Sequence, residues 1–254
     1  LPAMEDESLK AVSTDELPQS AGGKTVMTTE PKFIPKEAVQ ITLGDGIQAK
    51  VRLIDCVGYM VDGAAGHVEN GEERMVKTPW SEKEIPFTQA AQIGTRKVIG
   101  DHSTIGIVVT TDGSVGELKR SAYIDAEKQT VDELKKLGKP FILLLNSTKP
   151  YSDETLKLAE QLAADYGVTV LPVSCEQLKK EDIFHILESV LKEFPVTQLD
   201  FHIPKWLEVL PATHWLKTQV IDMARELLKK VSHMKDAASQ IKTFGGSSGP
   251  VEKI

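Results

Sequence analysis

The first ordered signal along the chain is "QAKVRLID", Gln48 to Asp55, where polar and apolar residues alternate and then turn apolar, as in a strand entering a sheet. "DCVGYM" ends it. Val61 to Phe87 is rich in Gly, Glu, Asn and Pro without a period and reads as a long excursion, a length that loops seldom reach unless they are functional. Helical spacing resumes over Gln89 to Ile99, and the compact apolar run Ile105 to Thr111 has the pattern of a buried parallel strand. The alternation then repeats. A helix over Asp125 to Leu137, closed by Gly138, precedes the strand Pro140 to Asn146; a helix opened by Ser152 and Asp153 stops at Gly167, before the strand Val168 to Ser174. An amphipathic helix, Asp182 to Phe194, ends at Pro195, and residues 4–17 are acidic and polar, a loop or weak helix.

Strands alternating with helices predict a mostly parallel, doubly wound α/β sheet with helices on both faces. In such sheets ligands sit at the carboxyl ends of the strands. After Phe194 the texture changes, which divides the chain into residues 1–195 and the start of an α-rich region, 196–254. Thr218 to Ala238 reads as one long helix with Val220, Ile221, Ala224, Leu227, Leu228, Val231 and Met234 along one side, a stripe for packing on the domain or on another subunit. Trp206 and Trp215 are either buried anchors or part of an assembly surface. "FGGSSGP", Phe244 to Pro250, has the composition of a flexible linker.

Composition changes this picture little. A net charge of -7 excludes a surface wholly dedicated to nucleic acid. Two cysteines, Cys56 and Cys175, are too few for a disulfide framework and fit a reduced, cytosolic setting. No apolar run approaches the ~20 residues needed to cross a bilayer, and no secretory signal opens the chain. The start at Leu1, without a methionine and within a polar stretch, leads us to expect upstream sequence. His67, His102, His185, His202, His214 and His233 lack metal-ligand spacing, and Ser121, Ser174 and Cys175 form no triad legible in sequence.

Candidate chemistry follows the strands. Gly23-Lys24-Thr25 imitates the end of a P-loop, but Pro18 stands where the first glycine belongs and no buried strand precedes it, so it is read as a decoy. Asp55, at the end of a strand and followed by Gly58, is either an ordinary turn or the Mg²⁺-holding acid and hinge of a nucleotidase. Thr28 and Thr29 lie upstream in a polar segment just before a strand. Asn146 ends the next-but-one strand and Ser174 and Cys175 the last; the order matches switch I, switch II, base loop and ribose/base loop of a P-loop GTPase-like fold. Where Asn-Lys-x-Asp reads guanine, this chain has Asn146, Ser147, Thr148 and Lys149. Lysine offers only donors where guanine also offers donors, which favours ATP or relaxed nucleotide choice.

"DELPQSAGGKTVMTTEPKFIP", "RLIDCVGYMVDGA", "AAQIGTRKVIGDHSTIGIVVTTDGS", "GKPFILLLNSTKPY" and "LPATHWLK" together resemble the stage IV sporulation protein A family, ATPases that build the basement layer of the spore coat. The resemblance runs from about Leu1 to Lys217 and thins beyond Ala238. It implies ATP and Mg²⁺ as cofactors, Asp55 as the Mg²⁺-associated acid, Thr28 or Thr29 as the threonine sensing metal and γ-phosphate, with Thr29 the candidate ligand, and Gly58 as the hinge. Asn146, Ser147, Lys149, Ser174 and Cys175 would border the nucleotide. It also implies that the family's P-loop precedes this sequence, so that residues 1–254 alone bind ATP poorly and leave a raw sheet edge. Implied partners are further copies of the chain, a small amphipathic membrane-bound peptide and later coat proteins, at the outer forespore surface in the mother-cell cytoplasm. A regulatory GTPase-like switch and a nucleotide-independent scaffold are the alternative readings.

Overall fold

The computed structural model describes residues 32–42, 48–69 and 71–244. Thr28, Thr29 and the Gly23-Lys24-Thr25 stretch lie outside them. Strand β1 (Lys32–Thr42) pairs antiparallel with β2 (Gln48–Asp55), Lys32 opposite Asp55. A register shift between Ile34 and Val39 encloses Pro35, which has no N–H to give a ladder. Two small hairpins follow, β3 (Val68–Glu69) with β4 (Glu72–Glu73) and β5 (Met75–Thr78) with β6 (Ser81–Pro86). The segment expected to be irregular is thus partly built. "SEKEIP" hides its strand because charged residues occupy exposed positions of both parities.

Helix α1 (Phe87–Lys97) starts after Pro86 and runs into a π-helical turn, Val98–His102. The main sheet is parallel, in the order β7 (Gly106–Thr111), β8 (Phe141–Asn146), β9 (Val170–Val173). Its crossovers are α2 (Arg120–Lys136) and α3 (Asp153–Tyr166), and α4 (Lys180–Lys192) follows β9.

Strand β8 shows why the sheet needs cover on both faces. Phe141, Leu143 and Leu145 point to one side and pack with Val131 and Leu134 of α2 and Ala159 and Leu162 of α3. Ile142 and Leu144 point to the other and meet Ile186 and Val190 of α4. Five consecutive apolar side chains are therefore all buried, the signature of a central parallel strand. The expected α/β architecture with helices on both faces is present.

The sheet is divided, however. Among the described residues β2 pairs with β1 alone and β7 with β8 alone, so the strands expected in one sheet fall in two. On β7, Ile107 and Val109 are 36% and 60% exposed. Among the described residues no strand lies against that edge.

The chain forms two compact units, residues 1–190 and 191–254. Within the second unit are α5 (Lys205–Val209), α6 (Trp215–Lys230) and α7 (Met234–Phe244). The single helix expected over 218–238 is broken at Val231, whose backbone is extended. Local chemistry explains the break: the Asp236 carboxylate accepts from the amides of Ser232 (3.1 Å) and His233 (2.8 Å) and starts a new helix. The break also pairs with the chain at Phe194–Val196, where the Val196 amide donates to the Ser232 carbonyl and the Met234 amide to that of Phe194. Lys235 reaches both oxygens of buried Glu193 at 2.9 Å. Trp206 and Trp215 are 60% and 66% exposed, and α6 has no fully buried residue, so its apolar stripe makes no closed core within the described unit.

Candidate functional site

The carboxyl ends of β7, β8 and β9 lie side by side, and hydrogen bonds join the loops that leave them. Strand β8 stops at Asn146, whose Oδ1 accepts from the Cys175 amide at 2.9 Å. One side chain thus fastens the loop after β8 to the loop after β9. Ser147 is fully buried; its amide donates to the Val173 carbonyl (2.9 Å), and its hydroxyl accepts from the Lys149 amide (3.0 Å) and lies 3.3 Å from that of Thr155. Ser147 therefore shapes the loop from within, while Thr148 and Lys149 are exposed. Ser152 caps α3 by accepting from the Thr155 amide, as its position before Asp153 predicted.

Beyond β7 stands a residue that sequence reasoning passed over. Oδ1 of Asp112 accepts from the amide (2.8 Å) and hydroxyl (2.6 Å) of Ser114, and Oδ2 accepts from the Thr155 hydroxyl at 3.2 Å. The Ser114 hydroxyl in turn accepts from the Thr148 amide at 3.0 Å. Burial by itself would raise the Asp112 carboxyl; hydrogen bonds from Ser114, Ser147 and Thr155 outweigh it and hold the group below the usual aspartate value. The available signal was the Asp-Gly-Ser that directly follows a buried apolar run, a turn whose side chain bonds its own backbone two residues on. Gly113 has φ 88°, and a Cβ there would stand 2.6 Å from the Arg120 amide nitrogen, so only glycine lets this loop close onto α2.

Arg120, the first residue of α2, anchors the other side of the loop. It donates to Thr110 (2.9 Å) and to Glu127 (2.8 Å), and Glu127 also accepts from the Tyr166 hydroxyl at 2.8 Å. Strand β7 and helices α2 and α3 are thereby pinned together beneath the strand ends. Burial opposes the Glu127 charge, but bonds from Arg120, Thr110 and Tyr166 prevail and lower its carboxyl. Burial and the adjoining Glu127 push the Tyr166 phenol far up.

Asp55 is exposed and closes β2 in the separate two-stranded sheet. Gly58, with φ 80°, holds a left-handed turn three residues on. The segment beyond it is bound to the main body, since the Asp62 amide donates to the Ala122 carbonyl at 3.2 Å. Burial raises the Cys56 thiol. Desolvation likewise raises the Cys175 thiol, so neither cysteine is an activated nucleophile. Ser174 is half-buried where β9 ends. The structure thus unites Asn146, Ser147, Lys149, Ser174 and Cys175 in one connected rim, adds Asp112, and places Asp55 at the end of its own sheet.

Among the described residues no three His, Cys, Asp or Glu side chains gather to hold a metal. The exposed Asp55 carboxylate at a strand end still fits Mg²⁺, which retains several waters and takes one or two carboxylates alongside substrate phosphates. No helix among the described residues is long and apolar enough to cross a membrane.

A parallel sheet with polar loops joined at its carboxyl ends defines the class of doubly wound α/β folds, in which ligands sit at those ends. Comparison with known proteins narrows it. Residues 1–195 match the family model "Stage IV sporulation protein A, ATPase domain" and residues 196–252 match "Stage IV sporulation protein A, middle domain". Proteins named stage IV sporulation protein A are similar to the chain: that of Bacillus subtilis (strain 168) is 45% identical over 244 residues, covering 96% of this chain and 50% of that protein. That of Bacillus anthracis is 46% identical over 236 residues, 93% of this chain and 48% of the relative. That of Clostridioides difficile (strain 630) is 45% identical over 244 residues, with coverage of 96% and 50%. The chain belongs to the stage IV sporulation protein A family and carries its ATPase domain. It spans about half the length of the curated relatives it matches.

Proposed function

We propose that the protein of which this chain forms part hydrolyses ATP with Mg²⁺ and uses the change of state to assemble, with copies of itself, into the basement layer of the spore coat on the outer forespore membrane. The observation that carries the reading is the joined rim at the ends of β8 and β9, where Asn146 holds the Cys175 amide, within a region that matches an ATPase-domain model. Mg²⁺, when bound, supplies charge to stabilise the oxygens of the transferring phosphoryl group. Asp55 would hold it, together with Thr29 or Thr28. Asp55 itself lies where the β1–β2 ladder opens, opposite Lys32.

On the base side, Lys149 presents donors in place of the carboxylate that pairs with guanine, so the loop favours adenine. Gly58 is the pivot about which the segment toward Asp62 swings, releasing its bond to Ala122 as nucleotide state changes. The membrane-bound amphipathic peptide and the coat proteins are proposed to dock on the assembled form.

The test is ATP hydrolysis and sedimentation of the full-length protein. Asp55→Ala should lose at least about a hundredfold in kcat, as expected when a group that stabilises developing charge is removed, and should form no pelletable polymer. Lys149→Asp should shift binding from ATP toward GTP. Equal polymer from wild type and Asp55→Ala without nucleotide would overturn the reading in favour of a passive scaffold.

A further inference from the structure

The loop after β8 has no regular structure of its own, yet three of its residues, Ser147, Thr148 and Lys149, are fixed by hydroxyl groups. Two of those contacts lead to one carboxylate. Ser114, which holds the Thr148 amide, is itself held by Asp112 Oδ1 through both its amide and its hydroxyl. Thr155, which faces the Ser147 hydroxyl, donates to Asp112 Oδ2. The two oxygens of one side chain on β7's loop therefore set, by separate routes, the two halves of the loop on β8. Asp112 is joined to the same loop by backbone as well, since its amide donates to the Asn146 carbonyl at 3.3 Å.

We propose that Asp112 is the positioning residue of the base-facing loop: through Ser114 and Thr155 it fixes the conformation of residues 146–149, and so the affinity for the nucleotide base. The ligand in this statement rests on the ATPase reading above; the loop geometry does not. Asp112 touches no reacting atom in this scheme. Its loss should weaken binding and leave chemistry at the γ-phosphate nearly untouched.

Two measurements on the full-length protein separate these parts: amide hydrogen exchange of the peptide spanning 146–152, and steady-state hydrolysis of ATP. In Asp112→Ala, exchange at Thr148 and Lys149 should speed by about tenfold or more, the scale of a lost hydrogen bond to a charged acceptor. The KM for ATP should rise by a similar factor while kcat stays within about twofold. Asp112→Asn should recover much of both, because its amide oxygen still accepts from Ser114. Should Asp112→Ala not fold, Ser114→Ala removes the Thr148 arm alone and carries the same test. Unchanged exchange and unchanged KM overturn the proposal, as does a fall in kcat that Asp112→Asn does not relieve. A wild-type protein with no saturable ATP hydrolysis sinks the ATPase reading instead, and exchange alone then upholds or refutes the positioning role.

Discussion

Glu127 is a carboxylate with almost no exposed surface, 2.6 Å from an Arg120 guanidinium that is itself mostly covered. Breaking such a pair from one side strands the other charge and costs about 3 kcal/mol, more than either exposed pair on α6 contributes. The pH dependence has a definite sign. The folded carboxyl lies below its ordinary value of 4.5, so its contribution is complete above the unfolded value and is lost as pH falls toward the folded one. Glu127→Gln should therefore lower the urea midpoint at neutral pH, and its deficit against wild type should shrink as pH drops below about 4.5. A deficit constant from neutral to acid pH would refute the role of the ionised pair. Pairing across elements also explains why Asp112 and Arg120 escaped sequence reading: Thr155 and Thr110, which they bond, lie on other elements, and pairing at such separations is fixed by packing.

At the scale of elements, the break between α6 and α7 isolates one side chain's effect. Helical periodicity continues through Val231, and Lys229 and Lys230 are good helix formers, so propensity alone favours an unbroken helix. Asp236 reverses that preference by satisfying the amides of Ser232 and His233. Asp236→Ala should fray the start of α7 and cost about 1 kcal/mol, the usual value of a lost helix cap; faster amide exchange at Ser232 and His233 is the direct check. Elements whose residues carry their own reason for being there were legible. β8 was readable because an apolar run buried on both faces has no competing interpretation, β7 and β9 because short apolar runs bounded by turn residues repeat its pattern, and α3 because Ser152 and Gly167 mark its ends chemically. The hairpins over 68–86 were hidden because their strands are short and rich in charged residues, so that cross-strand pairing marks them where no apolar period does. The candidate site divides similarly: Asn146 and Cys175 follow from strand ends, whereas the inward turn of Ser147 depends on Thr155 and Val173.

For the whole molecule, the consequential feature is the edge of β7. A parallel strand in an α/β sheet is ordinarily flanked on both sides, and its apolar residues are covered on both faces. Here Val108 packs into the core, but Ile107 and Val109 on the opposite face remain 36% and 60% exposed, beside a ladder edge with no strand on it among the described residues. An apolar, unpaired edge is a template for another chain. With Ile107 and Val109 presented to solvent, the chain should associate through β7 in a concentration-dependent way. Val109→Lys places a charge on that edge without disturbing Val108 or the β8 ladder, so it should slow aggregation markedly and change the unfolding free energy by no more than about 0.5 kcal/mol. Turbidity on heating, measured beside a urea titration, distinguishes the two effects: slower turbidity at an unchanged midpoint supports edge-to-edge association, and equal turbidity in both proteins refutes it.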